Sequence, residues 1–334
     1  MLRSLRFWAG LAISAVFIWL FFRTTHPGEL KDALRDANYW WLAPALAVLF
    51  VSISLRCVRW SVLLRPTAPL SPVRLFPYAI IGYMANNLLP ARAGELVRAY
   101  ILGDREHITK TGSLGSIAVE RLFDGCVLVL MLLIAGSVVG LDNGRLRAIA
   151  IVSSALFLAA IVAFYLLTLR EERARTVVRF GLRILPRRWE HRAEEIGDSL
   201  VTSLRSVHDW RTLSIVLVLS GMAWTVEAAA YAVIGIGFNL DLGFGEYCLL
   251  LAASNLAIIV PTFLGGTGPF EWATKLVLVG AGIPDGVAGA YAIVAHQLVI
   301  VPTTILGLIM LWSWGIGFGR ITQIEPDDEL VAAP

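Results

Sequence analysis

The chain has 334 residues, of which 57% are hydrophobic and 16% are charged, and its formal net charge at pH 7 is +3. This composition provides too little polar surface to cover a soluble globule of that size, so it excludes a soluble protein and indicates an integral membrane protein. The three cysteines each lie inside an apolar run, which argues against a disulfide framework and against a thiolate metal site.

Six stretches are apolar and long enough to cross a bilayer as helices, which requires about 20 mostly apolar residues. They are residues 5–22, 42–64, 114–140, 148–169, 212–237 and 287–315. The first is similar to the apolar part of a signal peptide, but we interpret it as a span because no small-x-small cleavage site leads into a soluble domain. The sequence therefore predicts an all-α, polytopic membrane protein.

Two further apolar segments are broken near the middle. The segment 76–102 is interrupted by "PARAG" at 90–94, and the segment 246–281 is interrupted by "PTFLGGTGPFE" at 261–271. Each arm is too short to cross as a straight helix, and proline and glycine free backbone groups that lipid cannot satisfy. We therefore expect two re-entrant helical hairpins whose tips lie inside the protein or in a wet cavity.

The distribution of basic residues predicts the orientation. The connection 170–211 contains ten arginines, and loops rich in arginine and lysine generally lie in the cytoplasm. We therefore expect both termini on the inner side of a bacterial or archaeal cytoplasmic (inner) membrane. Helical spacing of apolar residues within 170–211 predicts an amphipathic helix on the inner leaflet, and the acidic tail 319–334 is expected to be disordered.

The two broken segments predict an inverted repeat. With six spans, the first hairpin enters from the cytoplasm and the second enters from outside. Glu95 and Glu120 are 25 residues apart, as are Glu271 and His296. The predicted halves are residues 1–141 and 142–318. Inverted repeats with discontinuous helices are typical of secondary transporters, which bind substrate near the membrane midplane.

Three motifs carry a family resemblance. They are "NNLLPARAGELVRAY" at 86–100, "VERLFD" at 119–124 and "PTFLGGTGPFE" at 261–271. They resemble signature segments of the flippase-like membrane domain of lysylphosphatidylglycerol synthases and of related stand-alone proteins, over about residues 5 to 318. The resemblance implies lipid translocation, but not synthase activity, because no aminoacyl transferase domain follows. His296 and Gln297 depart from the family pattern, in which many relatives have an arginine.

Charged residues within the apolar segments predict a substrate site, because an ionisable side chain at membrane depth costs at least ~2.5 kcal/mol and usually faces a cavity or a partner. Arg92 and Arg121 are suited to clamp a phosphate, since guanidinium groups stay charged and match phosphate oxygens. Half-helices that begin near Gly94 and Pro269 would add backbone amides that favour an anion. The predicted substrate-binding residues are Asn87, Arg92, Gly94, Glu95, Glu120, Arg121, Asp124, Asn255, Gly265, Gly266, Gly268 and Glu271.

The two glutamates that follow the breaks have different predicted roles. We expect Glu271 and His296 to form a proton relay, and we expect Glu95 to stay ionised because arginines flank it in the sequence. The structural alternative is that both glutamates only cap a helix or pair with a cation.

Structural alternatives also exist for the other polar residues. The charged residues of 119–124 can form a network that locks their span to Arg92 or Arg98. The asparagines can satisfy backbone groups at the breaks. Arg56 and Arg59 are interpreted as interfacial anchors whose charged ends reach the membrane surface.

The sequence contains no nucleophile elbow, no P-loop, no zinc-protease motif and no Cys/His cluster at zinc spacing. We therefore expect no enzymatic activity, no cofactor and no bound metal. The prediction is a flippase for a lipid with a phosphate-containing anionic or zwitterionic headgroup, with no nucleic-acid partner. The alternative is a membrane-embedded transferase, or a subunit of one, that acts on a lipid-linked substrate. A homodimer and a lipid-modifying enzyme are further candidate partners.

Overall fold

The computed structural model describes residues 5–89, 93–139, 209–258, 264–317 and 319. Every regular element among these residues is helical, which confirms the all-α class for the described part of the chain. The first six α-helices are α1 (Leu5–Thr24), α2 (Pro27–Asp36), α3 (Leu42–Leu64), α4 (Pro72–Leu88), α5 (Gly94–Glu106) and α6 (Lys110–Val139).

Four more α-helices follow the stretch 140–208. They are α7 (Trp210–Gly237), α8 (Phe244–Ala257), α9 (Pro269–Gly280) and α10 (Asp285–Ser313). Two short 3₁₀ turns, Tyr39–Trp41 and Leu264–Gly266, precede α3 and α9. The predicted span 148–169 lies outside the described residues, as does nearly all of the predicted linker 170–211 and tail 319–334.

Four of the described helices are long and apolar enough to cross a membrane. They are Tyr39–Leu64, Lys110–Val139, Trp210–Gly237 and Asp285–Ser313. These four helices coincide with four of the six predicted spans, so the chain is a membrane protein. The first predicted span, 5–22, is also helical and corresponds to α1.

Both predicted breaks are present. Helix α4 ends at Leu88 and is followed by an extended residue, Leu89, and α5 begins only at Gly94. Between α8 and α9 the backbone turns through three glycines with positive φ angles of 66°, 102° and 103°, at Gly265, Gly266 and Gly268. Only glycine adopts these angles without strain, so these three residues fix the second break.

The helices pack in a reciprocal pattern. Helices α4 and α5 pack on each other and form the first hairpin, and α8 and α9 form the second hairpin. Helix α4 of the first hairpin packs on α10, and α8 of the second hairpin packs on α6. The two long helices α3 and α7 pack on each other between them. This arrangement brings both hairpins to one central region.

The second hairpin is fastened by a buried lysine. The Nζ of Lys275 donates to Oγ1 of Thr24 at 2.7 Å and to Oγ1 of Thr25 at 2.6 Å, at the end of α1. The same ammonium pairs with Asp285 at 2.6 Å, at the start of α10. A cation at a helix C-terminus is favourable, so Lys275 holds α1, α9 and α10 together.

Candidate functional site

A cavity of about 470 Å³ lies between the two hairpins. Helices α3 to α10 all contribute side chains to its wall, and about half of these are apolar. Its polar lining residues are Arg56, Tyr83, Asn86, Asn87, Glu95, Arg121, Asp124, Glu227, Asn255, His296 and Thr303. A cavity of this volume accommodates a small-molecule-sized group, and the mixed lining is typical of a ligand site.

Helix α3 supplies two buried arginines to one side of the site. Nη2 of Arg56 donates to Oε2 of Glu227 at 2.7 Å, and the guanidinium lies 3.9 Å from the ring centre of Trp224. Nη1 of Arg59 donates to Oδ1 of Asp124 at 2.5 Å. Buried guanidinium groups require such partners, because an uncompensated charge in a low dielectric is very costly.

A second buried centre lies around Glu120. This carboxylate is 3.2 Å from Arg59 and 3.2 Å from Arg98, and its side chain is almost completely buried. The guanidinium of Arg98 lies 4.3 Å from the ring centre of Trp60. The predicted structural network between the "VERLFD" motif and Arg98 is therefore present.

The pair formed by Arg121 and Glu95 is the exposed edge of this network. Nε of Arg121 lies 3.1 Å from Oε1 of Glu95, and the two side chains are 36% and 34% exposed. Nη2 of Arg121 donates to Glu120 at 3.3 Å, and Nη1 is 3.3 Å from Oδ2 of Asp124. Nε of Arg121 makes no hydrogen bond to any described residue, because its contact with Glu95 is poorly aligned. About a third of the Arg121 side chain is nevertheless exposed in the cavity wall, so a ligand there can contact the accessible part of the guanidinium.

The second half contributes a histidine–carboxylate pair. Nδ1 of His296 lies 2.6 Å from Oε1 of Glu271, and the imidazole stacks on Phe270 at 4.2 Å. Oε2 of Glu271 accepts a hydrogen bond from the backbone N–H of Gly268 at 2.7 Å, which caps α9. His296 lines the cavity and Glu271 lies behind it. The imidazole therefore lies between Glu271 and the cavity.

The asparagines at the breaks bind the protein itself. Oδ1 of Asn86 accepts from the backbone N–H of Gly94 at 2.9 Å. Nδ2 of Asn87 donates to Oγ1 of Thr304 at 3.0 Å, on α10. The amide of Asn255 donates to a carbonyl of its own helix at 3.0 Å. These contacts satisfy backbone and hydroxyl groups, as the structural alternative expects, and both Asn87 and Asn255 still line the cavity.

The predicted glycines have packing roles that a side chain would disturb. At Gly94 a Cβ atom would contact the carbonyl of Gly82 and lie 2.6 Å from the backbone nitrogen of Asn86, so α4 and α5 can cross only there. At Gly265 a Cβ atom would lie 3.1 Å from Oδ1 of Asn87. The tips of the two hairpins therefore touch each other.

The predicted substrate residues fall into two groups. Those that line the cavity are Asn87, Glu95, Arg121, Asp124, Asn255 and Gly265. Those among the described residues that lie outside the lining are Gly94, Glu120, Gly266, Gly268 and Glu271. Arg92 lies outside the described residues.

Sequence reasoning missed the arginines of α3. The interpretation of Arg56 and Arg59 as interfacial anchors is wrong, because their exposed fractions are 6% and 0% and both pair with buried carboxylates. The available signal was Glu227, a carboxylate inside the apolar helix α7, since such a group requires a cationic partner on a neighbouring helix.

Comparison with known proteins provides relatives of low identity. Over 96% of its length the chain is 26% identical to the glycosyltransferase AglD of Haloferax volcanii, and it spans only 56% of that protein. Two UPF0104 membrane proteins of Methanothermobacter thermautotrophicus are 24% and 26% identical over 81% and 90% of this chain, and the matches cover 85% and 89% of these relatives. No solved structure matches the chain significantly.

The family assignment rests on a match over most of the chain. The profile described as lysylphosphatidylglycerol synthase TM region matches residues 7–307. This range contains all three motifs that carry the resemblance in the sequence, and it contains every described residue of the cavity wall. The chain therefore belongs to the family of the lysylphosphatidylglycerol synthase transmembrane region.

Proposed function

We propose that this protein moves a lipid with a phosphate-containing anionic or zwitterionic headgroup between the two leaflets of a membrane. The observation that carries the proposal is the cavity of about 470 Å³ with a half-exposed arginine in its wall, enclosed by apolar helices long enough to span. Its volume suits a headgroup, so the acyl chains would stay in the surrounding lipid.

The proposed architecture has six spans and two re-entrant hairpins in an inverted repeat, with both termini in the cytoplasm. Two observations support it. The helix breaks occur where proline and glycine interrupt the apolar segments, and each hairpin packs on the last long helix of the other half. A site between two such halves can open alternately to either side.

In this mechanism the headgroup phosphate binds Arg121. Its guanidinium lines the cavity and is about one-third exposed there, and Arg92 is the proposed second donor of the clamp. The N-terminus of α5 lies beside the site and favours negative charge there. Glu271 and His296 are the proposed proton relay that couples a gradient to lipid movement, since they join a capped half-helix to the cavity wall.

The test is lipid translocation in proteoliposomes that contain a phospholipid with a fluorescent acyl chain. Replacing Arg121 with alanine removes a charged donor from the phosphate contact, which costs about 2–5 kcal/mol, so the rate should fall by more than about tenfold. The matched control is Arg74→Ala, because Arg74 is an exposed arginine that pairs with Glu106 outside the cavity. A folded Arg121→Ala protein that moves lipid at the wild-type rate would contradict the proposal.

A membrane-embedded transferase, or a subunit of one, is the second candidate. The observation that favours it is the similarity to a protein named a glycosyltransferase, of which this chain spans about half. Incubating the purified protein with radiolabelled lipid and a sugar or aminoacyl donor distinguishes the two, because only a transferase forms a new labelled lipid. A homodimer, or a complex with a lipid-modifying enzyme, would be compatible with either activity.

A further inference from the structure

The ion pair between Arg121 and Glu95 differs from every other ion pair in the described cavity wall. Arg56, Glu227 and Asp124 are nearly buried and are held by short hydrogen bonds. Arg121 and Glu95 are about one-third exposed, and their 3.1 Å contact lacks hydrogen-bond alignment. Separating these two side chains therefore breaks the most accessible ion pair of the cavity wall.

A ligand that enters between the two side chains must replace the oppositely charged partner that each of them loses. A phosphate alone would satisfy Arg121 but would leave the Glu95 carboxylate beside a second negative charge. An ammonium alone would satisfy Glu95 but would place a second positive charge beside the Arg121 guanidinium. Both outcomes are unfavourable in a partly dehydrated site, whereas a ligand with one charge of each sign preserves both pairings.

The position of Glu95 favours an anionic partner for the ammonium. Glu95 lies in the first turn of α5, where the helix N-terminus stabilises a negative charge, and it faces the cavity. Behind Arg121, the buried carboxylates of Glu120 and Asp124 lie 3.3 Å from its guanidinium and hold it in position. The two charges are therefore presented side by side at one edge of the cavity.

We propose that Glu95 is the specificity residue of this cavity and that the headgroup is zwitterionic and net neutral, with its phosphate on Arg121 and its ammonium on Glu95. This inference rests on the proposed lipid translocation. In the absence of lipid, the two side chains pair with each other. The Glu95 carboxylate then takes the place of the phosphate beside Arg121, and the Arg121 guanidinium takes the place of the ammonium beside Glu95. Glu95 thus selects against purely anionic headgroups, because such a headgroup would place its phosphate beside the Glu95 carboxylate without an ammonium to pair with it.

The experiment compares two phospholipids that carry the same fluorescent acyl chain, phosphatidylethanolamine and phosphatidylglycerol, in vesicles of phosphatidylcholine containing the full chain. The wild-type protein should move phosphatidylethanolamine about tenfold faster than phosphatidylglycerol. Glu95→Gln removes the partner of the ammonium and also the negative charge that repels an anionic headgroup, so this ratio should fall about tenfold or invert. Asp241→Asn is the matched control, since Asp241 is an exposed carboxylate in the loop between α7 and α8.

The outcomes separate this inference from the proposed function. If neither lipid moves faster than in protein-free vesicles, lipid translocation itself is wrong. If both lipids move at equal rates in the wild type, or phosphatidylglycerol moves faster, translocation stands and the assignment of Glu95 is overturned. The same holds if folded Glu95→Gln keeps the wild-type ratio. The wild-type ratio alone tests the inference if the variant does not fold.

Discussion

At the scale of single residues, the most demanding feature of this molecule is the set of charges buried on α3. Arg56 and Arg59 are almost completely buried, so each depends on carboxylates supplied by other helices. Arg56 is held by Glu227 on α7 and by the face of Trp224, a neighbour on the same helix. These contacts join α3 to α7 by electrostatics as well as by packing, and they form the rigid side of the cavity.

Removing one partner of the pair Arg56–Glu227 should destabilise the protein strongly. Glu227→Leu leaves a buried guanidinium short of its closest partner, which typically costs about 3–5 kcal/mol. The double variant Arg56→Met with Glu227→Leu should unfold at a higher temperature than Glu227→Leu alone, because it removes both charges. Thermal unfolding in detergent measures this effect.

The control for the buried pair is Arg74, an exposed arginine whose partner Glu106 also accepts a hydrogen bond from Tyr78. Arg74→Met should change the free energy of unfolding by no more than about 1 kcal/mol, as for surface ion pairs in general. A Glu227→Leu protein that unfolds at the wild-type temperature would show that the buried pair contributes nothing to stability.

At the scale of elements, the half-helix α9 combines a structural and a chemical role in one carboxylate. One oxygen of Glu271 caps the helix at Gly268, and the other contacts His296 on α10. Lys275, one turn later, holds the same helix to α1. Contacts with Gly268 on one side of Glu271 and with α1 through Lys275 on the other therefore hold the Glu271–His296 pair in place.

Glu271→Gln separates the two roles of this side chain. The amide oxygen of glutamine can still accept the hydrogen bond from Gly268, so α9 should remain capped, but the side chain no longer exchanges a proton. We expect wild-type lipid translocation to respond to an imposed pH gradient and Glu271→Gln to lose that response.

Glu95→Gln provides the comparison, because it alters the first hairpin and should keep its response to the gradient. If the wild type ignores the gradient, or if Glu271→Gln still responds, then Glu271 is only a helix cap and translocation is passive.

At the scale of the whole molecule, two loops lie at opposite ends of α3. The end of α7 meets the start of α3, where the N–H of Asn38 donates to the carbonyl of Gly237 at 2.8 Å. The other end of α3 leads to Thr67, whose side chain lies beside Gly112 at the start of α6. Because α3 has 23 residues, these ends are roughly 35 Å apart, which matches the thickness of a bilayer.

The proposed orientation therefore predicts different labelling of the two loops. In a background without native cysteines, Asp104→Cys, at the exposed end of α5 beside the first of these loops, should react with a membrane-impermeant maleimide only after the cells are permeabilised. Asp241→Cys, in the loop between α7 and α8, should react in intact cells. The wild-type background must lose Cys57, Cys126 and Cys248, which are free thiols. Labelling of both positions from the same side would rule out an inverted repeat.

Local chemistry allowed part of this architecture to be predicted from the sequence. Proline and glycine within apolar segments identified both breaks. Glu271 and His296, predicted to act together because both are ionisable groups in apolar segments, lie 2.6 Å apart. The partners of Arg56 and Arg59 were not predictable in this way. Their carboxylates are up to 171 positions away in the chain, so the pairing depends on how α3 packs against α6 and α7.

The contact between the hairpin tips, where Asn87 meets Gly265, has an electrical consequence. If water reaches this contact from both sides, the membrane voltage falls across a few side chains instead of across a full bilayer. Moving one elementary charge through that drop involves about 2.3 kcal/mol per 100 mV. A net-neutral headgroup would cross this thin insulating layer without electrical work, whereas an anionic one would be driven in one direction by the resting potential.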